Sequence, residues 1–324
     1  MIIKLFTQLV LATTVFQFFP MDVGELERRA LLPESPARSF DLLASWDTLK
    51  HLPEATDRER APRKIVTTSM GVVTSAQSAI VMDRRSGEVL FEKNVHGSRA
   101  IGSITKLMTA HVFLQTQPDL SAPATITDED VRLGATLHLP VGETVTIQDL
   151  LRASLVGSDN TATMALARLS GLPLGDFVAR MNEEAAGMGM QETTFADPAG
   201  LSSDNVSVVT DLARMFDTIL QNETIAQVTQ QSVVSITGSS GRTYTIESTD
   251  ELLTSFVNQS PYEILGGKTG FLPEAGYCLG SIFSHEGEGD VVVVVLGSET
   301  KEGRFQDVKS LAVWAYQTYD WQTL

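Results

Sequence analysis

The sequence predicts an α+β fold: an antiparallel sheet with helices on both faces, plus a helical subdomain. Three features of its 324 residues predict it. Strand-like segments come first, five contiguous segments with apolar residues at helical spacing follow, and strand-like segments then return. Helices gathered between two sets of strands mean that the first hairpin joins the late strands in one antiparallel sheet.

In chain order, Lys4 precedes LFTQLVLATTVFQFFP, so residues 1–20 read as a signal peptide or N-terminal membrane anchor. VFQFFP places bulky side chains where a processing enzyme needs small ones, which favours an uncleaved anchor. No cysteine follows for lipid modification. Residues 21–66, with LLPESPARS and HLPEATDRERAPRK around one apolar patch (Phe40, Leu42, Leu43, Trp46, Leu49), have the composition of a linker. Residues 67–324 form the folded domain. It opens with AIVMDRRSGEVLFEK, two apolar runs flanking Arg85-Ser86-Gly87, the pattern of a β-hairpin. Helices follow at ITKLMTAHVFLQ, TIQDLLRASL, NTATMALARLS, GDFVARMNEEAAGM and VVTDLARMFDTILQ. Strands return at SVVSIT, RTYTIE, GYCLGSIFS and DVVVVVLGS, with HEGEGD as a hairpin tip. A last helix runs through Leu311, Val313, Trp314, Tyr316 and Tyr319.

Composition narrows the function classes. With 24 Lys and Arg against 40 Asp and Glu, the net charge of −16 leaves nothing to neutralise phosphates, so nucleic acid is not an expected partner. Residues 1–66 are charge-balanced, and residues 67–324 carry the whole excess. No 20-residue run is uniformly apolar enough for a multi-span membrane protein. The single Cys278 forbids an internal disulfide and reads as a small apolar filler on a buried strand. His51, His96, His111, His138 and His285 lack metal-ligand spacing, so neither a metal nor another cofactor is expected.

Three short motifs carry the chemistry. Ser103 and Lys106 form S-x-x-K, and an i,i+3 pair lies on one helix face, so the amine can reach the hydroxyl. An N-capping Ser with a surface Lys would look the same. Lys106, however, sits among Ile104, Leu107, Met108, Val112, Phe113 and Leu114, which implies burial, a lowered pKa and competence as a base. Ser158-Asp159-Asn160 precedes a helix and alone reads as its N-cap. Lys268-Thr269-Gly270 alone reads as a turn leading into a strand. Their occurrence together and in this order changes the reading.

With these triplets, the blocks SGEVLFEKNVHGSRAIGSITKLMTA, LLRASLVGSDNTATMALA, FADPAGLSSDN and GGKTGFLPEAGYCLG make residues 67–324 resemble the serine-type D-alanyl-D-alanine carboxypeptidases of peptidase family S11, the low-molecular-mass penicillin-binding proteins. The likeness implies the penicillin-binding protein and serine β-lactamase fold. It also implies Ser103 as nucleophile, Lys106 as its base, Ser158 as proton relay to the leaving D-alanine, and Asn160 as a holder of Lys106 and the substrate amide. It further implies that Lys268 adds positive potential near Ser158, that the N–H groups of Ser103 and Phe271 make an oxyanion hole, and that Thr269 and Arg304, beside Gly270, bind the substrate's terminal carboxylate. For Arg304 in TKEGRF, a solvated loop charge is the plain alternative. Gly102 departs from the family, which usually has Ala before the nucleophile. Asp159 departs from the many members that have a small residue there, and is shared with class A β-lactamases.

The implied partners are peptidoglycan stem peptides and β-lactam antibiotics as covalent inhibitors. The implied location is exported, at the periplasmic or extracytoplasmic face of the membrane. The chain ends soon after its last helix, leaving no room for the C-terminal β-domain or amphipathic helix of many members, so anchoring falls to the N-terminal segment. Three other readings share these motifs: a class A β-lactamase, a D,D-endopeptidase on cross-linked peptidoglycan, and a penicillin-binding sensor without turnover. Between Asn160 and Lys268 the E-x-x-L-N string that serves the lactamase deacylating water is missing, and MQETTFADPAGLS stands there instead. Slow release of the penicilloyl ester beside measurable D-alanine release is therefore expected. Turnover of a chromogenic β-lactam, measured against D-alanine release under the same conditions, checks it, and rapid β-lactam turnover without D-alanine would reverse the assignment.

Overall fold

A computed structural model describes residues 61–321 apart from 133, 135 and 136. The expectations for residues 1–20 and for 21–60 lie outside the described residues. At the centre is a five-stranded antiparallel sheet of β1 (Ser78–Asp83), β2 (Val89–Lys93), β3 (Tyr262–Leu272), β4 (Gly276–His285) and β5 (Val291–Ser298), ordered β3-β4-β5-β1-β2. The first hairpin joins the late strands through β1 and β5, with Asp83 opposite Val291 and Ala79 opposite Val295. In β5, Val292, Val294 and Leu296 enter one core while Val291, Val293 and Val295 enter another. A central strand covered on both faces reads as a continuous apolar run. The β1–β2 turn is fixed by the Asp83 carboxylate, which accepts the Ser86 N–H at 2.7 Å and its hydroxyl at 2.5 Å.

One face of the sheet is covered by the C-terminal helix. The other supports a helical layer of α1 (Thr105–Leu114), α2 (Ile147–Leu155), α3 (Asn160–Leu169), α4 (Leu174–Gly187), α5 (Val209–Ile219) and α6 (Glu223–Thr229). α1 is buried on nearly every side, Lys106 included, so it is an interior helix without a polar face. α5 is amphipathic and turns Val209, Leu212, Ala213, Phe216 and Ile219 inward. The Asp159 carboxylate caps α3, accepting the Ala162 N–H at 3.0 Å.

Three expectations are corrected. β3 was not among the expected strands because YEILGGKTGFL shows no alternation, and its glycines answer to close packing: a Cβ on Gly270 would stand 2.2 Å from the Ile101 carbonyl oxygen. SVVSIT and RTYTIE stay out of the main sheet and pair only with each other, as Val233–Thr237 and Thr243–Glu247. Val234, Ile236 and Ile246 are buried while the alternate residues face outward, a pattern suited to one covered face. The packed body also starts before residue 67. Arg63–Lys64 pair with Tyr319–Asp320, so the last helix stops at Thr318 and Tyr319, expected in the helix, becomes a strand residue.

That helix, α7 (Lys301–Thr318), is pinned by the buried Asp307. Its carboxylate accepts the Ser75 N–H and hydroxyl at 2.8 Å, the Ala76 N–H at 2.9 Å and the Ser298 hydroxyl at 2.8 Å. The anchor lies one turn beyond Arg304 and ties that turn to the end of β5. Asp307→Ala, which leaves these donors unpaired, is expected to lower the unfolding free energy by about 3 kcal/mol. Urea unfolding with unchanged m-value is the check, and a loss below about 0.5 kcal/mol would show that the anchor does not hold the helix.

Candidate active site

The nucleophile motif sits on a turn that becomes a helix. A 3₁₀ turn over Gly102–Ile104 runs directly into α1, so Ser103 stands where free amides and the helix dipole favour negative charge. Gly102 has φ 54°, and a Cβ there would lie 2.8 Å from the Phe271 nitrogen. The glycine thus suits a left-handed backbone pressed against β3. The same contact sets the Phe271 backbone nitrogen against the turn that carries Ser103.

Lys106 is fully buried, and its Nζ lies 2.8 Å from Ser103 Oγ, 2.8 Å from Asn160 Oδ1 and 2.5 Å from the Ala199 carbonyl oxygen. Two of these three partners, the amide and peptide oxygens, can only accept. A neutral amine has two N–H bonds and one lone pair, so these two acceptors take both N–H bonds and the lone pair is left for the Ser103 hydroxyl. Burial pushes the Lys106 pKa down to about 7, while the charges of Asp197 and Asp159 hold it from falling further. Asp197 also builds the loop that supplies Ala199. Its carboxylate accepts the N–H groups of Ala199 at 2.7 Å, Gly200 at 2.8 Å and Ser202 at 2.7 Å, and the Asn205 amide at 2.7 Å.

The second and third motifs meet across the same space. Asp159 is the cap that the sequence suggests, and capping with the middle residue leaves Ser158 and Asn160 free to serve the site. Ser158 is held at φ 57°, a left-handed conformation costly for a residue with a side chain. Its hydroxyl accepts from Lys268 Nζ at 3.0 Å. Lys268 is buried in β3, and its pKa is pushed well below normal by desolvation and by the cations Lys106 and Arg304, with Asp250 opposing. Thr269 shares a hydrogen bond of 2.6 Å with Thr249.

Arg304 lies in the first turns of α7, where Thr300 caps the helix by accepting the Gly303 N–H at 2.9 Å. It is only 5 % exposed, which excludes the solvated loop charge. Its Nη1 donates to the Gly270 carbonyl at 3.3 Å, and burial lowers its pKa. Asp250 is the buried counter-charge, pushed up to about 6 by burial against the pull of Arg304 and Lys268. Among the described residues no three His, Cys, Asp or Glu gather where they could hold a metal ion. Cys278 is buried in β4 opposite Gly270, and burial raises its thiol pKa to about 11.

Residues 65–300 match the family model described as D-alanyl-D-alanine carboxypeptidase. The chain belongs to this family. It is an enzyme, a serine DD-peptidase, with the α+β fold of the penicillin-binding proteins. It is 34% identical over 222 residues to a D-alanyl-D-alanine endopeptidase of Haemophilus influenzae, covering 68% of this chain and 74% of the relative. It is 30% identical over 261 residues to a D-alanyl-D-alanine carboxypeptidase of a Streptomyces species, covering 75% and 87%. A penicillin-binding protein of Listeria monocytogenes, solved in its ampicillin-bound form, superposes with TM-score 0.66 at 30% identity, covering 76% of this chain and all of that one.

In this DD-peptidase, Ser103, Lys106 and Asn160 form one hydrogen-bonded cluster, Ser158, Lys268 and the Thr269 carbonyl a second, and Arg304 reaches Gly270 next along β3. Sequence reading passed over Asp197, Thr249 and Asp250. Only Asp197 left a trace, as an acidic residue opening the turn-rich DPAGLS. A lysine that serves as a base has to be neutral, so with Lys106 in that role acylation is expected to rise with pH through about 7 and level off above. Lys106→Arg keeps the charge but holds its proton, and is expected to slow acylation at least about 100-fold and remove the pH limb. Stopped-flow acylation by a reporter β-lactam between pH 5 and 9 measures both, and near-normal rates with Arg would show that charge alone matters.

Proposed function

We propose that the protein is a serine DD-carboxypeptidase that removes the terminal D-alanine from peptidoglycan stem peptides ending in D-Ala-D-Ala, through an acyl-enzyme on Ser103. The observation that carries this is the approach of Lys106 Nζ to Ser103 Oγ at 2.8 Å, with both other partners of the amine restricted to accepting. Neutral Lys106 takes the hydroxyl proton as Ser103 Oγ bonds to the carbonyl carbon of the penultimate D-alanine. The oxyanion receives the N–H groups of Ser103 and Phe271. As the C–N bond breaks, the proton taken up by Lys106 passes through the Ser158 hydroxyl, polarised by Lys268 at 3.0 Å, to the departing amine, which leaves Lys106 neutral for the attacking water. Water then hydrolyses the ester. Asn160 holds Lys106 and the substrate amide, and Thr269 and Arg304 take the terminal carboxylate.

Penicillins present a carbonyl and a carboxylate to the same groups and acylate Ser103. An ampicillin-bound relative of the same fold supports this inhibition. Export to the extracytoplasmic face, with attachment through residues 1–20, is supported by the apolar N-terminal stretch and by the place where peptidoglycan is built. Endopeptidase action on cross-links is the second reading, favoured by the relative named for it at 34% identity. Its scissile bond is also a D-alanyl amide.

Labelled penicillin should attach to wild type and not to Ser103→Ala, and label retained on the variant would sink the assignment. Arg304→Ala should lower kcat/KM for a D-Ala-D-Ala peptide at least about tenfold, chiefly through KM. Mass analysis of products from a pentapeptide and from cross-linked muropeptides apportions the two peptidase activities.

A further inference from the structure

A carboxylate clamp treats all D-residues alike, so a group that sorts leaving residues has to touch their side chains. Phe271 is the candidate for such a group. It follows Thr269 by two residues on β3, which puts both side chains on the same face of the sheet about 7 Å apart. Across the ladder it pairs with Tyr277, and the two rings stack with centroids 4.5 Å apart at 29°. Behind Tyr277 lies Arg304, its guanidinium carbon 5.6 Å from that ring's centroid. Arg304 also reaches the carbonyl of Gly270, between Thr269 and Phe271 in the chain. Arg304 and Phe271 thus both pack on the Tyr277 ring, next to Thr269 and Gly270.

Phe271 is 48 % exposed, and unlike the more exposed Phe256 it stacks on an aromatic partner across the ladder. A ring backed on one side and open on the other is a preformed apolar platform. Its own N–H is one of the two amides beside Ser103, so the platform begins within one residue of the reacting carbon.

We propose that the Phe271 ring, backed by Tyr277, is the specificity-determining wall for the side chain of the leaving D-residue and favours an unbranched alkyl chain over a methyl group or hydrogen. This rests on the DD-peptidase reading above and adds a substrate class to it. An open wall lets a polymethylene chain lie along the ring and continue outward. That is the geometry of a leaving diamino acid whose side chain runs on into a cross-linked stem peptide.

The test uses the full-length protein and acetylated peptides ending in D-Ala-Gly, D-Ala-D-Ala and D-Ala-D-norleucine, which share one scissile carbonyl and one carboxylate. Wild type is expected to show a higher kcat/KM for the norleucine peptide than for the glycine peptide. Phe271→Ala is expected to lower that ratio about fivefold, mainly through KM, as loss of a few half-covered methylenes from the wall would. Phe271→Tyr, which restores the ring, should return the ratio to within about twofold of wild type. An unchanged ratio in Phe271→Ala, an equal loss on all three peptides, or discrimination by wild type against norleucine overturns the proposal. No release from any peptide by wild type overturns both this wall and the DD-peptidase reading.

Discussion

The burial of Lys106 is the constraint on which the site depends. An amine carried into the interior of a helical layer loses its hydration, and the neutral form becomes accessible near pH 7 only because that loss is incompletely compensated. Full compensation by an adjacent carboxylate would restore an ordinary ammonium. The protein instead places the Asn160 amide and the Ala199 carbonyl in direct contact and leaves Asp197 and Asp159 to act on the amine as charges. Each of those neighbours has a structural duty as well. Asp159 caps α3, and Asp197 gathers the amides of its own loop.

The site lies at the seam between the helical layer and the edge of the sheet, and the edge position of β3 has a chemical reason. A strand with a neighbour on both sides would spend the Phe271 amide on a ladder bond. At the edge, its free flank meets the turn over Gly102–Ile104. Glycine on both sides of that contact lets the two backbones approach. Gly102 adopts a conformation that side chains resist, and Gly270 passes the Ile101 carbonyl where a Cβ would collide. α7 completes the seam from the other face of the sheet, and the Asp307 anchor sets the height at which Arg304 reaches the end of β3.

Electrostatics at the seam runs against the bulk of the molecule. A chain of net charge −16 concentrates Lys106, Lys268 and Arg304 in one buried region, where desolvation disfavours the charge of all three and Lys106 and Arg304 further disfavour that of Lys268. Such a cluster costs stability, and Asp250 offsets only part of it. What remains is a partly dehydrated region of positive potential around Arg304, where water screens a neighbouring charge only weakly.

The sequence by itself determined the α+β class, the order of the chemistry-bearing motifs and the burial of Lys106. These follow from local periodicity and from a lysine set among apolar residues at helical spacing. It did not determine that YEILGGKTGFL is a strand, because its residues answer to contacts with the distant segment around Ile101 and Gly102 and not to their own alternation. Nor did it decide between a solvated loop charge and a buried cation for Arg304, because that depends on a helix cap at Thr300 and an anchor reaching back to Ser75. Asp197, Thr249 and Asp250 were illegible for the same reason. Their partners are set by how the chain returns, and only the tertiary structure decides which distant group a polar side chain meets when both are removed from water.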